Sequence, residues 1–422
     1  MSKSQKIIIS LFVIGIGGYL YIQNLFYLKT ETVNGTYTIY VSDSIELRES
    51  LKEAQTHKGD TVIKLANGTY RTDDSGKENH LIKYLVRTIL NKISKEKYLN
   101  LTGTFKYYGQ EHVGSLTLIG SSRKHTILDG AKQNTVFHHW SKEKYSLNLQ
   151  NLTIQNGDSN ESAGGVRTFS DIEVRDVLFK NNRSTEYGGG FHSYESVTVT
   201  DSIFINNSSE DSGGGFSSSE SATVTDSVFN KNNAELWGGG FYSSESVTVI
   251  SSTFNNNNAR QGGGFYSSEL VTVKKSDFNS NQAVITGAGF HSSKLVTVTD
   301  STFNKNIVIG GFVNGQKLGS GGGFYSYKSS TVKQSIFSEN QAQTGGGFSS
   351  SELATVINSI FKYNSATLCG GFTTSYSATV INSTFKYNNT TLGGGGFCSK
   401  YKPEIENTIF RGNIPDKYFT NY

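Results

Sequence analysis

Glu195, Glu220, Glu245 and Glu269 lie 25, 25 and 24 residues apart, each four residues after a phenylalanine. If the units that carry them stack, four carboxylates come one above another. Such a row would raise the pKa of its members or hold Ca²⁺ through oxygen ligands. Lys294 and Lys328 take the same place in the next two units before Glu352 restores it. That is the pattern of a solvated turn, so Ca²⁺ is the one ion considered, and no other metal or cofactor is expected. Asp171, Glu173, Arg175 and Asp176 are close enough to share one coil, with Arg183 nearby. They are the candidates for acid–base chemistry, although a solvated strand rim is the commoner meaning of such a cluster. Tyr242, Tyr266 and Tyr325 belong to a third series, with His192, Ser217, His291 and Ser349, each directly after a glycine-flanked phenylalanine. Rings stacked on an outer face offer a platform for a sugar ring or a protein partner; ordinary strand aromatics are the plainer alternative. His192 and His291 are four units apart, too far to share a metal, and His138–His139 reads as structural. Thr198, Thr223, Thr248, Thr272, Thr297, Thr331, Thr355 and Thr379 form a row of the kind that an ice-binding face displays. Ile250, Lys274 and Lys333 interrupt the companion position, and β-branched threonine suits any solvent-facing strand.

These series exist because the chain repeats itself. Phe191, Phe216, Phe241, Phe265, Phe290, Phe324, Phe348, Phe372 and Phe397 follow at steps of 24 or 25 residues, with one step of 34. A second phenylalanine comes 13 later each time, and asparagine stands three residues beyond it, as in Phe254 and Asn257. Within a unit the alternation has the period of a strand. Phe241, Ser243, Val247, Val249, Ser252 and Phe254 share one facing, and Tyr242, Thr248 and Thr253 the other. Three short strands with tight turns in about 25 residues make one coil of a right-handed parallel β-helix, an all-β single-stranded solenoid whose equivalent side chains form ladders. About 13 coils predict a rod of roughly 60 Å. The asparagine should sit in a turn and bond the coils above and below.

The regular repeats occupy 164–413 within a β-helix of 36–422, and 36–157 supplies cap and opening coils. A short helix over 44–56 should close the open end. A second helix is predicted at 78–98, inserted on the flank, and the long step implies a loop insertion at 309–320. Lys3 and Lys6 precede an apolar run from Ile7 towards Leu28. Residues 1–29 therefore read as a transmembrane signal anchor, with removal as a signal peptide as the alternative. Either places the β-helix outside the cytoplasm and makes the membrane a partner. The net charge of +4 over 422 residues gives no ground for a nucleic-acid partner. Cys369 and Cys398 are expected to be unpaired: four residues of offset along a strand is roughly 13 Å, beyond disulfide reach.

The paired signatures, Gly238-Gly239-Gly240-Phe241 and the ten Phe-x-x-Asn tetrads from Phe179–Asn182 to Phe410–Asn413, resemble the repeats of the chlamydial polymorphic membrane proteins. Here Gly-Phe replaces that family's Ala-aliphatic pair. The segment with Gly59-Asp60-Thr61 and Asn67-Gly68-Thr69-Tyr70 looks like the start of many pectin-lyase-like β-helix proteins. The first resemblance implies a surface-displayed right-handed β-helix passenger that mediates adhesion, although no membrane barrel follows Asn413 as that family would have it. The leading reading is a non-enzymatic surface protein that binds host, glycan or protein ligands. A polysaccharide lyase or glycoside hydrolase is the alternative, and ice binding comes third.

Overall fold

The alternation within each unit sets the inside and outside of a coil. The computed structural model describes residues 11–15, 18–22, 28–33, 35–73, 103–110, 113–313, 316–415 and 417–420; for the first two segments and for 312–318 only the backbone is described. Phe241, Ser243, Val247, Val249, Ser252 and Phe254 are all buried, while Tyr242, Thr248 and Thr253 between them are partly exposed. The coil runs through strands Phe241–Ser243, Val247–Ile250 and Thr253–Asn255, then a fourth, Asn258–Gln261. The fourth is polar apart from one buried alanine, Ala259, and so leaves little trace in a hydrophobic pattern. Each strand pairs in parallel with its equivalent one coil on: Phe241 with Phe265, Val249 with Val273, Phe254 with Phe278 and Ala259 with Ala283. The chain is an all-β parallel β-solenoid of about 14 turns.

Left-handed residues turn the corners, such as Ser251 (φ 48°), Asn256 (φ 54°) and Gly262 (φ 66°). That conformation suits glycine and short polar residues best. The glycine directly before each first-series phenylalanine serves close approach instead: a Cβ on Gly240 would lie 2.3 Å from the Gly264 carbonyl oxygen of the next coil.

Two phenylalanine stacks fill the interior. Phe241 and Phe265 lie 4.8 Å apart and nearly parallel, as do Phe254 and Phe278, and the stacks meet each other tilted, Phe241 to Phe254 at 5.8 Å. Burying each ring contributes roughly 1.5–3 kcal/mol. Beside them runs a buried asparagine ladder in which every amide valence is used. Asn232 Nδ2 donates to Phe204 O and to Asn257 Oδ1, both at 3.0 Å. Its Oδ1 accepts from Asn207 N and Nδ2. A buried polar network stabilises only when so satisfied.

The N-terminal end is closed by an antiparallel strand, Lys29–Val33 on Thr36–Val41, and by the helix Ser44–Ala54. Asp43 caps that helix by accepting from Ile45 N and Glu46 N, and Glu46 accepts in return from Ser42 N. Leu47, Leu51 and Ala54 join the core. The insertion at 309–320 is an antiparallel hairpin, Gly311–Val313 with Gln316–Leu318, after which Ser320 restores the register by bridging Thr286 and Thr344. The helix predicted at 78–98 lies outside the described residues.

Two expectations are corrected. In the apolar N-terminal segment, the described residues form a two-stranded antiparallel hairpin, Leu11–Gly15 with Gly18–Ile22, rather than a membrane-spanning helix. Among the described residues no helix is long and apolar enough to cross a membrane. Gly15, Gly17 and Gly18 disfavour a helix by roughly 1 kcal/mol each, and Val13 and Ile14 favour strands. Cys369 and Cys398 form a disulfide, with Cα atoms 5.5 Å apart. A straight strand would separate them, but the chain folds back here. In the other coils glycine holds the place of Cys369, and a Cβ on Gly188 would meet the Phe191 oxygen and His192. The residue three before the phenylalanine thus lies against the residue one after it. Cys369 (φ 67°) takes the first place, and Cys398 the second, one coil on, beside Thr373.

Candidate functional site

One sheet contains the first-series phenylalanines, and its outer face holds two columns of side chains. The register Phe105–Phe137–Val166–Phe191 puts Lys106, His138, Arg167 and His192 in one column. Two residues further along the strands, Trp140 pairs with Tyr108, and Phe169 and Tyr194 continue the row, since their amides donate to His139 O and Thr168 O of the preceding coils. Four consecutive coils thus present Tyr108, Trp140, Phe169 and Tyr194. The alternation points these rings outwards because Phe105, Tyr107, Phe137 and His139 point inwards and are fully buried.

The rings touch. Phe169 and Tyr194 stack at 4.3 Å, His138 lies 5.7 Å from Phe169, and Tyr108 is 5.4 Å from His138. Tyr108, His138, Trp140, Arg167 and Phe169 line an open cleft of about 530 Å³. Arg167 lies over the rings of Phe169 (5.2 Å) and Tyr194 (5.7 Å). It donates to Glu161 Oε2 at 2.7 Å and to Tyr194 Oη at 3.0 Å. Burial, with Arg167 and Lys106 nearby, pushes the His138 imidazole down to about 4. Burial and Arg167 do the same to His192. Both are neutral at ordinary pH, so the cleft combines aromatic faces, one fixed cation and an uncharged base. Few polar groups on an apolar surface are what a small-molecule or sugar site requires. Sequence reading missed this site. The opening coils space Phe105, Phe137, Val166 and Phe191 by 32, 29 and 25 residues, and only the common register makes their outward residues one row.

Of the residues that the sequence singled out for acid–base chemistry, the structure brings Glu173 and Arg175 together and gives Asp171 and Asp176 other partners. Glu173 pairs with Arg175 at 3.3 Å, Asp176 with Arg123 at 3.1 Å, and Arg183 with Asp158 and Glu210. Asp171 instead joins Glu195 and Glu220, whose carboxylate oxygens come within 4.8 Å of one another. Lys144 pairs with one member of that trio, Glu195, and holds its carboxyl below the usual range. Asp171 and Glu220 also accept from Ser196 N and Oγ. Glu245 lies beyond the trio, and Glu269 faces Lys294 at 3.9 Å. Tyr242 and Tyr266 stack at 5.7 Å, and His291 bridges Tyr266 (4.5 Å) to Tyr325 (5.0 Å). Trp237 packs on the first two. These rings are half-buried and fill one another's faces, as Phe169 and Tyr194 do on the first coils, where Tyr108 is the more exposed ring.

No family model matches the chain, including any of the chlamydial repeats, and no curated protein matches it. Solved structures do match. They include the Escherichia coli protein YbhC (12% identity over 67% of this chain and 80% of that one, TM-score 0.31). Another is ORF18 of Geobacillus virus E2 (10%, 90% and 67%, TM-score 0.32). A third is a mannuronic acid-specific polysaccharide family 6 lyase from human gut microbiota (9%, 88% and 82%, TM-score 0.29). At such identities and scores these likenesses assign no activity to this chain.

Proposed function

We propose that this protein binds glycans along the outer face of its first coils, outside the cytoplasm. The unbroken column Tyr108–Trp140–Phe169–Tyr194, with Arg167 beside it, carries the reading. Aromatic faces take the apolar face of a sugar ring, and a pyranose unit in an extended chain advances about as far as one coil. A glycan laid along the solenoid axis then meets one ring per coil. The Cys369–Cys398 disulfide and the basic-then-apolar N-terminus support an oxidising compartment. Titrating a W237F variant, whose remaining tryptophan is Trp140, with soluble alginate, pectin, hyaluronan and cello-oligosaccharides should shift its fluorescence for at least one of them. W140A and F169A should each weaken binding about tenfold, measured by calorimetry. An unchanged spectrum across the whole panel would refute the reading.

One observation favours a second reading, cleavage of a uronate chain by β-elimination. His138 is a neutral base beside Arg167 and Lys106. In that reaction the base takes the proton next to the carboxylate, a cation neutralises the carboxylate, the C4–O4 bond breaks, and the leaving oxygen takes up a proton. Hydrolysis fits less well, because it needs two facing carboxylates. Among the described residues at the cleft only Glu161 offers one, already bonded to Arg167. Unsaturated uronate released from alginate or pectin, and lost in H138A, would make the site catalytic.

A further inference from the structure

At the opposite end of the molecule three cations stand in file. Lys362 pairs in register with Lys386, and Lys386 with Arg411. In the five preceding coils the same column holds Asn230, Asn255, Asn279, Asn304 and Ser338. Like charges directly opposite on neighbouring strands destabilise a sheet. Some stacked charges on this molecule are instead of opposite sign, as Lys328 with Glu352 at 2.7 Å, or Lys305 with Glu339 at 3.7 Å. Among the described residues no carboxylate pairs with Lys362, Lys386 or Arg411. The column next to them, Ile360, Thr384 and Ile409, is neutral. The next residues along the chain, Tyr363 and Tyr387, stack at 5.3 Å on left-handed corners and are about half exposed. Gly412 takes the third place, and a Cβ there would lie 2.7 Å from the Tyr387 ring. Backbone therefore covers the second face of that ring.

We propose that Lys362, Lys386 and Arg411, with the hydroxyl edges of Tyr363 and Tyr387, bind a linear acidic polysaccharide whose successive sulfate or carboxylate groups meet successive coils. The cations form a line along the solenoid axis, which matches a linear polyanion better than a lipid surface. Tyr387 has both ring faces covered, so the stacking platform that single-stranded nucleic acid needs is missing there, while the phenol hydroxyls can donate to anionic oxygens. This site is separate from the cleft on the first coils and does not depend on it.

Affinity electrophoresis of the full chain through gels containing dextran sulfate or neutral dextran tests the proposal. The wild type should be retarded only by dextran sulfate, and less so as salt rises. K362Q/K386Q/R411Q should bind about tenfold or more weakly with an unchanged or higher Tm, since a repulsive file has been removed. K386Q alone gives the same direction with a smaller loss and guards against misfolding of the triple variant. K305Q/K333Q should bind as the wild type does. Equal retardation of the triple variant and the wild type would overturn the site. Tighter binding of a single-stranded oligonucleotide or of anionic vesicles than of dextran sulfate would overturn the ligand class.

Discussion

One sheet, built on one interior, presents two different surfaces. In the coils of Phe105, Phe137, Val166 and Phe191, its outer columns read Lys106–His138–Arg167–His192 and Tyr108–Trp140–Phe169–Tyr194. In the coils of Phe216, Phe241, Phe265 and Phe290 the second column becomes Ser219, Ser244, Ser268 and Ser293. The first inward position hardly changes, apart from Val166: phenylalanine lies on phenylalanine at 4.8 Å at Phe191–Phe216 and again at Phe265–Phe290. Backbone and core are thus indifferent to what the outer columns hold. A coil can acquire or lose a binding ring without touching its packing, which separates the surface that recognises from the ladder that holds its spacing.

If the interior is uniform, F137A and F254A should cost the same, about 3–5 kcal/mol each, measured by urea unfolding. F254A should leave ligand binding intact, because its coil carries no ring of the column. A much cheaper substitution in either region would mean that the two interiors are not equivalent.

Among the differences between the two interiors is a buried histidine, which pH exposes. His139 points inwards in the first region, stacked on Tyr107 at 5.1 Å, with Nδ1 bonded to Thr168 Oγ1 at 2.9 Å. The equivalent places in the regular coils hold serine, Ser218 and Ser243. Burial pushes the His139 imidazole down to about 3 from an ordinary 6.5. Above pH 6.5 both folded and unfolded forms are neutral there and the titration contributes nothing. As pH falls below 6.5 the unfolded chain takes up the proton first, so stability is lost down to about pH 3. Between pH 6.5 and about 5 this single group removes about 2 kcal/mol. H139F should therefore gain about 2 kcal/mol relative to the wild type on going from pH 8 to about 5, in unfolding curves at the two pH values. H291F should behave alike, because His291 is pushed down to about 3 as well. An H139F difference independent of pH would show that His139 takes up its proton as readily in the fold as in the unfolded chain.

On the surface the contrast should appear in affinity alone. W140A is expected to weaken glycan binding about tenfold, or about 1.4 kcal/mol, with little change in Tm, whereas S244A should alter neither. Comparable effects from both would mean that the ligand lies elsewhere on the solenoid.

The regular coils were legible because stacking makes identical environments, and identical environments select the same residue every 24 or 25 positions. Phe241, Val249 and Asn257 are each dictated by a ladder neighbour. The buried asparagine row is the clearest case, because each amide is satisfied only by another amide directly above it. The first coils obey the same register, but turns of unequal length hide it, so Tyr108, Trp140, Phe169 and Tyr194 look unrelated along the chain. The disulfide was hidden for a different reason. Offsets counted along an extended strand do not see that the left-handed residue at Cys369 folds the chain back on itself. The N-terminal segment was read on hydropathy, which does not distinguish an apolar hairpin from an apolar helix.

The smallest expected effect is also the most direct test of the separation between surface and ladder. Ser219 follows Tyr194 in the outer column, and Ser219 N donates to Ser193 O just as Tyr194 N donates to Thr168 O. A ring placed there by S219Y has the backbone geometry that its predecessors have. Its flank holds Ser217, which is smaller than Arg167 or His192, so space is available beside it. If the column binds one sugar per coil, adding a fifth ring should raise affinity for long oligosaccharides by about 0.5–1.5 kcal/mol and leave short ones unaffected, in calorimetric titrations with a size series. Equal gains for all lengths would mean that the new ring acts as generic hydrophobic surface, and no gain at any length would mean that the ligand does not run along the axis. Only the length-dependent gain is consistent with a solenoid that spaces its rings for a chain.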